Sequence, residues 1–260
     1  KEAILFYKKA IRIDPKPPGI YLNLLGLSYL WTVQNEEAIA VFKKLVSREP
    51  ENAGAHALLG VALVGAGKQE EAIPMLDKAL SLNPDGPGWY IGSLAVARAS
   101  TGQPEEAITT LREALSLDPD NAHISRYLSL VLSYEGKHEK SLSMARNALS
   151  LKKKTPGPMP DTDFYLTLGL SHLVMGQYGE AIAAFKKSIS ISTENVYAHV
   201  GLTASYSMAG QMKEARAEAA EVLRINPRTS LESIAKNGYY NYKNADKERF
   251  IDALRKAGLK

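Results

Sequence analysis

Apolar positions return along this chain on a long, regular period. An alanine or serine recurs at Ala3, Ala38, Ala72, Ala107, Ser141, Ala181 and Ala215, at gaps of 35, 34, 35, 34, 40 and 34 residues. Four places after most of these anchors stands a large apolar residue: Tyr7, Phe42, Leu76, Leu111 and Phe185. In the next turn come the small residues Ala10, Ala79, Ala114 and Ala148. Spacings of three, four and seven place such positions on one face of a helix. Twelve residues before each anchor after Ala3 lies a second small residue: Gly26, Gly60, Ala95, Ser129, Gly169 and Thr203. A glycine inside a helix costs about 1 kcal/mol relative to alanine. That cost is tolerable where it lets a second helix approach to about 8–10 Å. The pattern predicts helix pairs, with the anchor as the contact facing the small residue.

The punctuation agrees with that period. Gly67, Gly102, Gly136, Gly176 and Gly210 fall where each first helix should stop, and glycine there accepts the left-handed conformation of a C-cap. Acidic residues follow at Glu70, Glu71, Glu105, Glu106, Glu139, Glu180 and Glu214, where a carboxylate favours the positive end of the helix dipole. Pro104 suits a first helical position. Pro15, Pro50, Pro84, Pro119 and Pro227 end the second helices. A period near 34 marks a helix–turn–helix unit that buries its apolar face only by stacking on its neighbours.

Leu25–Gly26, Ala38, Phe42 and Pro50 carry the motif in one unit, and its repetition covers nearly the whole chain. The chain thereby resembles the tetratricopeptide repeat family. The resemblance implies an all-α, right-handed superhelical solenoid of antiparallel helix pairs. The period divides it into a half repeat at 1–18, repeats one to four at 19–151, a connector at 152–161, repeats five and six at 162–228, and a helical cap at 229–260. The extra residues of the 40-residue gap fall at Lys152–Pro160. They predict a stiff, extended, proline-rich connector and a local change in the superhelix, a hinge between two arms. The half repeat offers Ile4, Leu5, Tyr7 and Ile11 with no partner helix before them. Such a face predicts a missing upstream segment or self-association through this helix. The chain starts in mid-repeat and reads as a piece of something longer.

In this family the first helices line the inner surface. The resemblance puts Asn23, Leu27, Trp31, Trp89, Val96, His123, Arg126, Tyr127, Leu130, Tyr134, Asp163 and Tyr197 in a concave groove. That groove is apolar and aromatic with few charges. Asn23 lacks the lysine partners with which some relatives hold a peptide carboxylate, so the expected ligand is an amphipathic helix or an extended apolar peptide. Trp31, Trp89, Arg126 and Tyr127 are of the residue types that most often anchor interfaces.

Charge separates the tail from the repeats. The chain has 260 residues and a net charge of +4. Residues 228–260 hold eight Lys/Arg against four acids, so the repeat array is neutral and the tail basic. Ser230 can cap a short helix at Leu231–Asn237 that Gly238 ends, and a second helix is expected from Ala245 to Ala257, stopped by Gly258. Phe250, Ile251 and Leu254 give it an apolar stripe. This pair reads first as the cap that hides the last apolar face of a solenoid, its tyrosines packing with their hydroxyls outward. From Asn226 to Leu259 the tail also resembles the ending of bacterial class III adenylate/guanylate cyclases that carry tetratricopeptide regions. That resemblance implies a regulatory or oligomerising arm of a signalling protein, with any catalytic domain upstream.

Chemistry of its own is not expected. His56, His123, His138, His172 and His199 form no His-Glu-x-x-His or other metal spacing and read as solvent-facing or groove residues. Gly65–Lys68 lacks the first glycine and the Ser/Thr of a phosphate loop. No local cluster supplies a hydroxyl nucleophile with its base. We therefore expect no catalytic, metal or cofactor site. Tyr239, Tyr240 and Tyr242 near Lys236 and Lys243 suggest nucleic-acid stacking, but a packed and solvated cap explains them better. No apolar run reaches membrane-spanning length. With no cysteine in the chain, an intracellular, cytoplasmic setting is expected. The function that follows is protein binding or scaffolding.

Overall fold

A computed structural model describes residues 2–14, 17–154, 161–237, 240, 242 and 244–260. Among these the chain is entirely helical, without strands. Helix α1 (Glu2–Ile13) is followed by six antiparallel pairs. These are α2 (Gly19–Trp31) with α3 (Asn35–Arg48), α4 (Ala53–Gly65) with α5 (Gln69–Leu82), and α6 (Trp89–Ser100) with α7 (Pro104–Leu117). They continue as α8 (Ala122–Tyr134) with α9 (His138–Lys154), α10 (Thr162–Val174) with α11 (Tyr178–Ile191), and α12 (Val196–Met208) with α13 (Met212–Ile225). Helices α14 (Leu231–Lys236) and α15 (Asn244–Lys256) close the chain. Each second helix packs on the first helix of the next pair, and from α4 onward successive first helices also touch. The result is a solenoid with one continuous core running from Ile4 to Leu259.

The contact that sets each pair differs from the one the sequence suggests. The anchors Ala38, Ala72, Ala107, Ser141, Ala181 and Ala215 are fully buried. Yet the space beside Gly26, Gly60 and Gly169 is filled by Phe42, Leu76 and Phe185, the large residues four places after the anchor. The small residue is thus a notch for a large knob, and the anchor lies flush beside it. Phe185 is gripped from both sides, because Gly201 of the following repeat also faces its ring.

The turns between paired helices share one geometry. Gly67, Gly102, Gly136, Gly176 and Gly210 all have φ between +71° and +91°. The next residue's N–H reaches back to a carbonyl five residues earlier, as in Lys68 to Leu63 at 2.9 Å and Gln177 to His172 at 3.0 Å. The first repeat places Val33 there, at φ +53°, where a β-branched side chain is strained. The second helices α3, α5, α7 and α13 stop two residues before their prolines. Asn52, Asn121 and Asn195 cap α4, α8 and α12 by accepting from a backbone N–H at 3.0, 3.0 and 3.2 Å. Each of these asparagines stands fourteen residues after an anchor, Ala38, Ala107 and Ala181 respectively.

The junction after repeat four corrects one expectation. Lys152–Lys154 are not extended but continue α9 to 17 residues; residues 155–160 of the connector lie outside the described residues. The helices on either side are in direct contact, α10 packing on both α8 and α9. Ser129, Ser141 and Ser171 join hydroxyls there at 3.0–3.2 Å, and Ser129 also donates to the Ser141 carbonyl at 2.8 Å. Serines at the close-contact positions would be costly in a dry core, and here each finds partners. At the other end α1 buries Ile4 and part-buries Tyr7 and Ile11 against the core, and leaves Leu5, Phe6 and Ile13 about two-thirds exposed or more.

The notch makes a sign prediction. Gly169→Ala should destabilise the fold by about 1–3 kcal/mol through overpacking, since an added Cβ comes 2.7 Å from the Phe185 ring. Gly179→Ala, exposed at the start of α11 with open space beside it, should instead gain up to about 1 kcal/mol. Urea unfolding of both variants checks the pair; stabilisation at position 169 would refute the notch.

Candidate peptide-binding groove

The first helices carry all twelve candidate residues, but the fold gives them different surroundings. Val96 is fully buried and Leu130 nearly so, which corrects their placement on an open surface. Tyr127 is also buried. Its ring fills the space beside Gly92 on the preceding first helix, and its hydroxyl meets Ser93 Oγ at 3.1 Å. Arg126, likewise buried, lays its guanidinium 4.0 Å from the Tyr127 ring centre and 5.9 Å from that of Phe164. Both residues are therefore joints between repeats three, four and five rather than exposed anchors. His123 stands half-buried against Phe164, ring centres 5.3 Å apart. Asp163 is exposed, and Asn23 and Leu27 are half-buried. Trp31 is 60% exposed. Trp89 is half-buried, edge-on to Tyr90 at 4.4 Å.

Tyr134 and Tyr197 meet something the repeat period does not foretell, the chain's own C-terminal segment. The superhelix turns far enough that the end of α13 reaches the α2–α3 turn. Asn226 Nδ2 donates to the strained Val33 carbonyl at 3.1 Å, and Arg228 pairs with Glu37 at 2.7 Å. Ser230 then caps α14 through a reciprocal pair of hydrogen bonds with Ser233. From the end of α14, Asn237 Nδ2 donates to the Gly65 carbonyl at 2.9 Å and lies 3.3 Å from the Tyr197 hydroxyl. Gln69 Nε2 donates to the Lys236 carbonyl at 3.3 Å. The Tyr240 hydroxyl donates to the Tyr197 carbonyl at 2.8 Å.

An aromatic cluster completes the contact. The Tyr240 ring stacks 5.2 Å from Phe250, Tyr242 meets Phe250 at 5.6 Å, and Tyr134 meets Tyr242 at 6.3 Å. Helix α15 packs on α12, and Asp246 lies 2.9 Å from His138 Nε2. The expectation of outward hydroxyls fails for Tyr240 and Tyr242, both buried; Tyr239 lies outside the described residues. Burial raises the pKa of Tyr240 and Tyr242, and their tyrosine neighbours add to it, so both stay neutral. Between α14, repeats one and two and α12 remains a cavity of about 310 Å³, with Asn35, Glu37, Gly65, Tyr197, Thr229 and Asn237 among its walls.

The histidines are not solvent-facing. His56 bonds the Pro50 carbonyl at 2.9 Å and His172 the Gln177 side chain at 2.7 Å, and both are buried. His199 lies between Glu218 at 2.7 Å and the Thr193 carbonyl at 3.1 Å. Both neighbours only accept, so both ring nitrogens must carry protons and the side chain is an imidazolium. Burial opposes that charge, but the bonds to Glu218 and Thr193 and the Glu218 and Glu221 charges outweigh it, and the pKa is raised. His123 goes the other way. Burial first, then Arg126 and Lys152, lower it to about 4. Among the described residues no cluster of His, Asp and Glu could hold a metal ion, and no helix is long and apolar enough to cross a membrane.

This stack of notch-and-knob helix pairs defines a helical-repeat protein, and comparison names the class. A tetratricopeptide repeat family model matches residues 34–92, 63–131 and 173–232, together more than half of the chain. The chain belongs to the tetratricopeptide repeat family. Among solved structures it is similar to the anaphase-promoting complex hetero-tetramer Cut9–Hcn1, with TM-score 0.58 and 19% identity over 99% of this chain and 46% of that one. It is similar to TTC0263, a thermophilic tetratricopeptide protein of Thermus thermophilus, with TM-score 0.58 and 20% identity over 78% of this chain and 99% of that one. Yeast Tom70 gives TM-score 0.59 and 14% identity over 98% of this chain and 58% of that one. The chain thus spans about half the length of the Cut9–Hcn1 and Tom70 chains it matches. No curated protein matches its sequence.

The two perturbed histidines set opposite pH trends. His199, raised in the fold, contributes stability that is complete below its unfolded value near 6.5 and is lost as pH rises through the folded value. His123, lowered, costs stability as pH falls from near 6.5 toward about 4. In urea unfolding, the stability gap between the native chain and His199→Gln should be larger at pH 6 than at pH 9. A gap that does not change with pH would show that His199 is not charged.

Proposed function

We propose that this chain is a protein-interaction scaffold that takes an amphipathic helix or an extended apolar peptide against the first helices of its early repeats, with no catalysis of its own. The observation that carries the reading is Trp31, 60% exposed, on the same set of first helices as half-buried Leu27 and Trp89. Large aromatic side chains left open on a neutral array are the residues that anchor interfaces when a partner desolvates them. Stacked repeats serve as extended binding surfaces, and the similar Cut9–Hcn1 structure is a hetero-tetramer. A second contact is proposed through α1, whose Leu5, Phe6 and Ile13 form an apolar outer face fit for another copy of the chain. The cyclase-arm reading keeps only the sequence of the tail in its favour.

Selection of random displayed peptides on the immobilised chain tests the first contact. Enriched peptides should be apolar or amphipathic, and Trp31→Ala or Trp89→Ala should weaken them at least about tenfold, as expected of anchor residues. Failure to enrich any sequence, or peptides indifferent to both substitutions, would sink it. For the second contact, sedimentation velocity should show concentration-dependent dimers that Phe6→Glu abolishes.

A further inference from the structure

The inner face already holds one polypeptide, and the way it is held is informative. An element that only sealed the last repeat would need to cover α12 and α13. Residues 226–260 do more. They reach back to Val33 and Glu37 of repeat one, Gly65 and Gln69 of repeat two, and Tyr134 and His138 around repeat four. Their contacts on the first helices are directional. The Asn237 amide is set between the Gly65 carbonyl and the Tyr197 hydroxyl, and the Tyr240 hydroxyl is on the Tyr197 carbonyl. Carbonyls near a helix C-terminus lack partners within the helix, and Gly65 closes α4, so an incoming side-chain amide answers a need already built into the face.

The polar fastening of this segment is weak and its bed is incompletely filled. Its pairs Arg228–Glu37 and His138–Asp246 are partly exposed, and such pairs contribute little. Beneath α14 the packing is incomplete. The cavity of about 310 Å³ lies there, and the Asn35 side-chain oxygen and the Thr229 hydroxyl are buried in its wall without hydrogen-bond partners. By contrast the notch contacts within repeats one, two and five leave no room for even one added carbon. The segment is also anchored by buried Ile234, Tyr240, Tyr242, Phe250 and Leu254, so directional bonds over a partly empty bed are combined with aromatic and aliphatic anchors, as in a bound peptide.

We infer that the face around Gly65, Tyr134 and Tyr197 is a recognition surface for an aromatic polypeptide segment, and that residues 226–260 are its intramolecular occupant. An outside segment competes if it offers the same chemistry, a side-chain amide, two tyrosines and a helix bearing phenylalanine, as Asn237, Tyr240, Tyr242 and Phe250 do. A tethered segment faces its site at an effective concentration of the order of millimolar, so the native chain keeps the face closed to weak competitors. This rests on reading the inner helices as protein-binding, but it concerns a different part of them from Trp31 and Trp89.

The test uses a fluorescein-labelled synthetic peptide with the sequence of residues 231–260. Its anisotropy is followed against the native chain and against the full-length Asn237→Ala/Tyr240→Phe variant. The variant should bind the peptide at least tenfold more tightly, because its own segment competes less well. Equal binding to both, or binding to neither while the variant keeps the native helical circular dichroism, would overturn the proposal. Hydrogen exchange of the unaltered chain gives a reading that no variant can spoil. Amides of α14 and α15 should exchange well before those of α4, α8 and α12; if they exchange only on global unfolding, the segment is a fixed cap and the inference fails. A failed peptide selection at Trp31 and Trp89 with a positive result here would remove only the earlier reading, and the reverse outcome only this one.

Discussion

Three of the six repeats depend on a large side chain entering the gap left by a missing one. Phe42 against Gly26, Leu76 against Gly60 and Phe185 against Gly169 bring paired helices together where any Cβ on the glycine would collide. Interiors are packed as densely as organic crystals, so such a contact fixes distance and angle together. The six pairs stack in order along the chain, and the array curves, since the end of α13 reaches the α2–α3 turn. The fully buried alanine anchors and the repeated left-handed turn glycines follow from this geometry.

Curvature has a consequence that no single repeat contains. After six pairs the end of α13 lies against the first turn, and Asn226 meets the carbonyl of Val33, 193 residues away in sequence. At that meeting point the turn glycine of the other repeats is replaced by a strained valine, and the cavity walled by Asn35 and Thr229 lies close by. Interlocking within the repeats and a mixed polar and aromatic contact at the closure are the two kinds of packing in the molecule.

Where the motif departs from its apolar norm, the structure compensates locally. Ser129 and Ser141 replace glycine and alanine, and Ser171 of the next repeat completes a hydroxyl cluster that satisfies them and ties repeats four and five. The buried histidines act likewise as fasteners within their repeats. His199 and His123 shift in opposite directions because His199 faces two acceptors, whereas His123 is desolvated first of all and then opposed by Arg126 and Lys152.

The fold was legible in the sequence because a 34-residue period reports a local rule. Small and large residues at spacings of twelve, four and seven suffice to mark helices, turns and their pairing, since each unit touches only its neighbours. The candidate groove was legible only in part. That a residue lies on a first helix follows from the period; whether it is open follows from what packs over it. Tyr127 and Val96 disappear between repeats, and Trp31 remains outside. The basic tail showed its helices and its cap at Ser230, but not its destination. Asn237 on Gly65 and Tyr242 on Tyr134 are long-range contacts created by the summed rotation of six repeats, a quantity that no local pattern of residues encodes. The sequence by itself determined the repeat and its stacking; only the tertiary structure decided that the superhelix meets its own beginning and holds its own end.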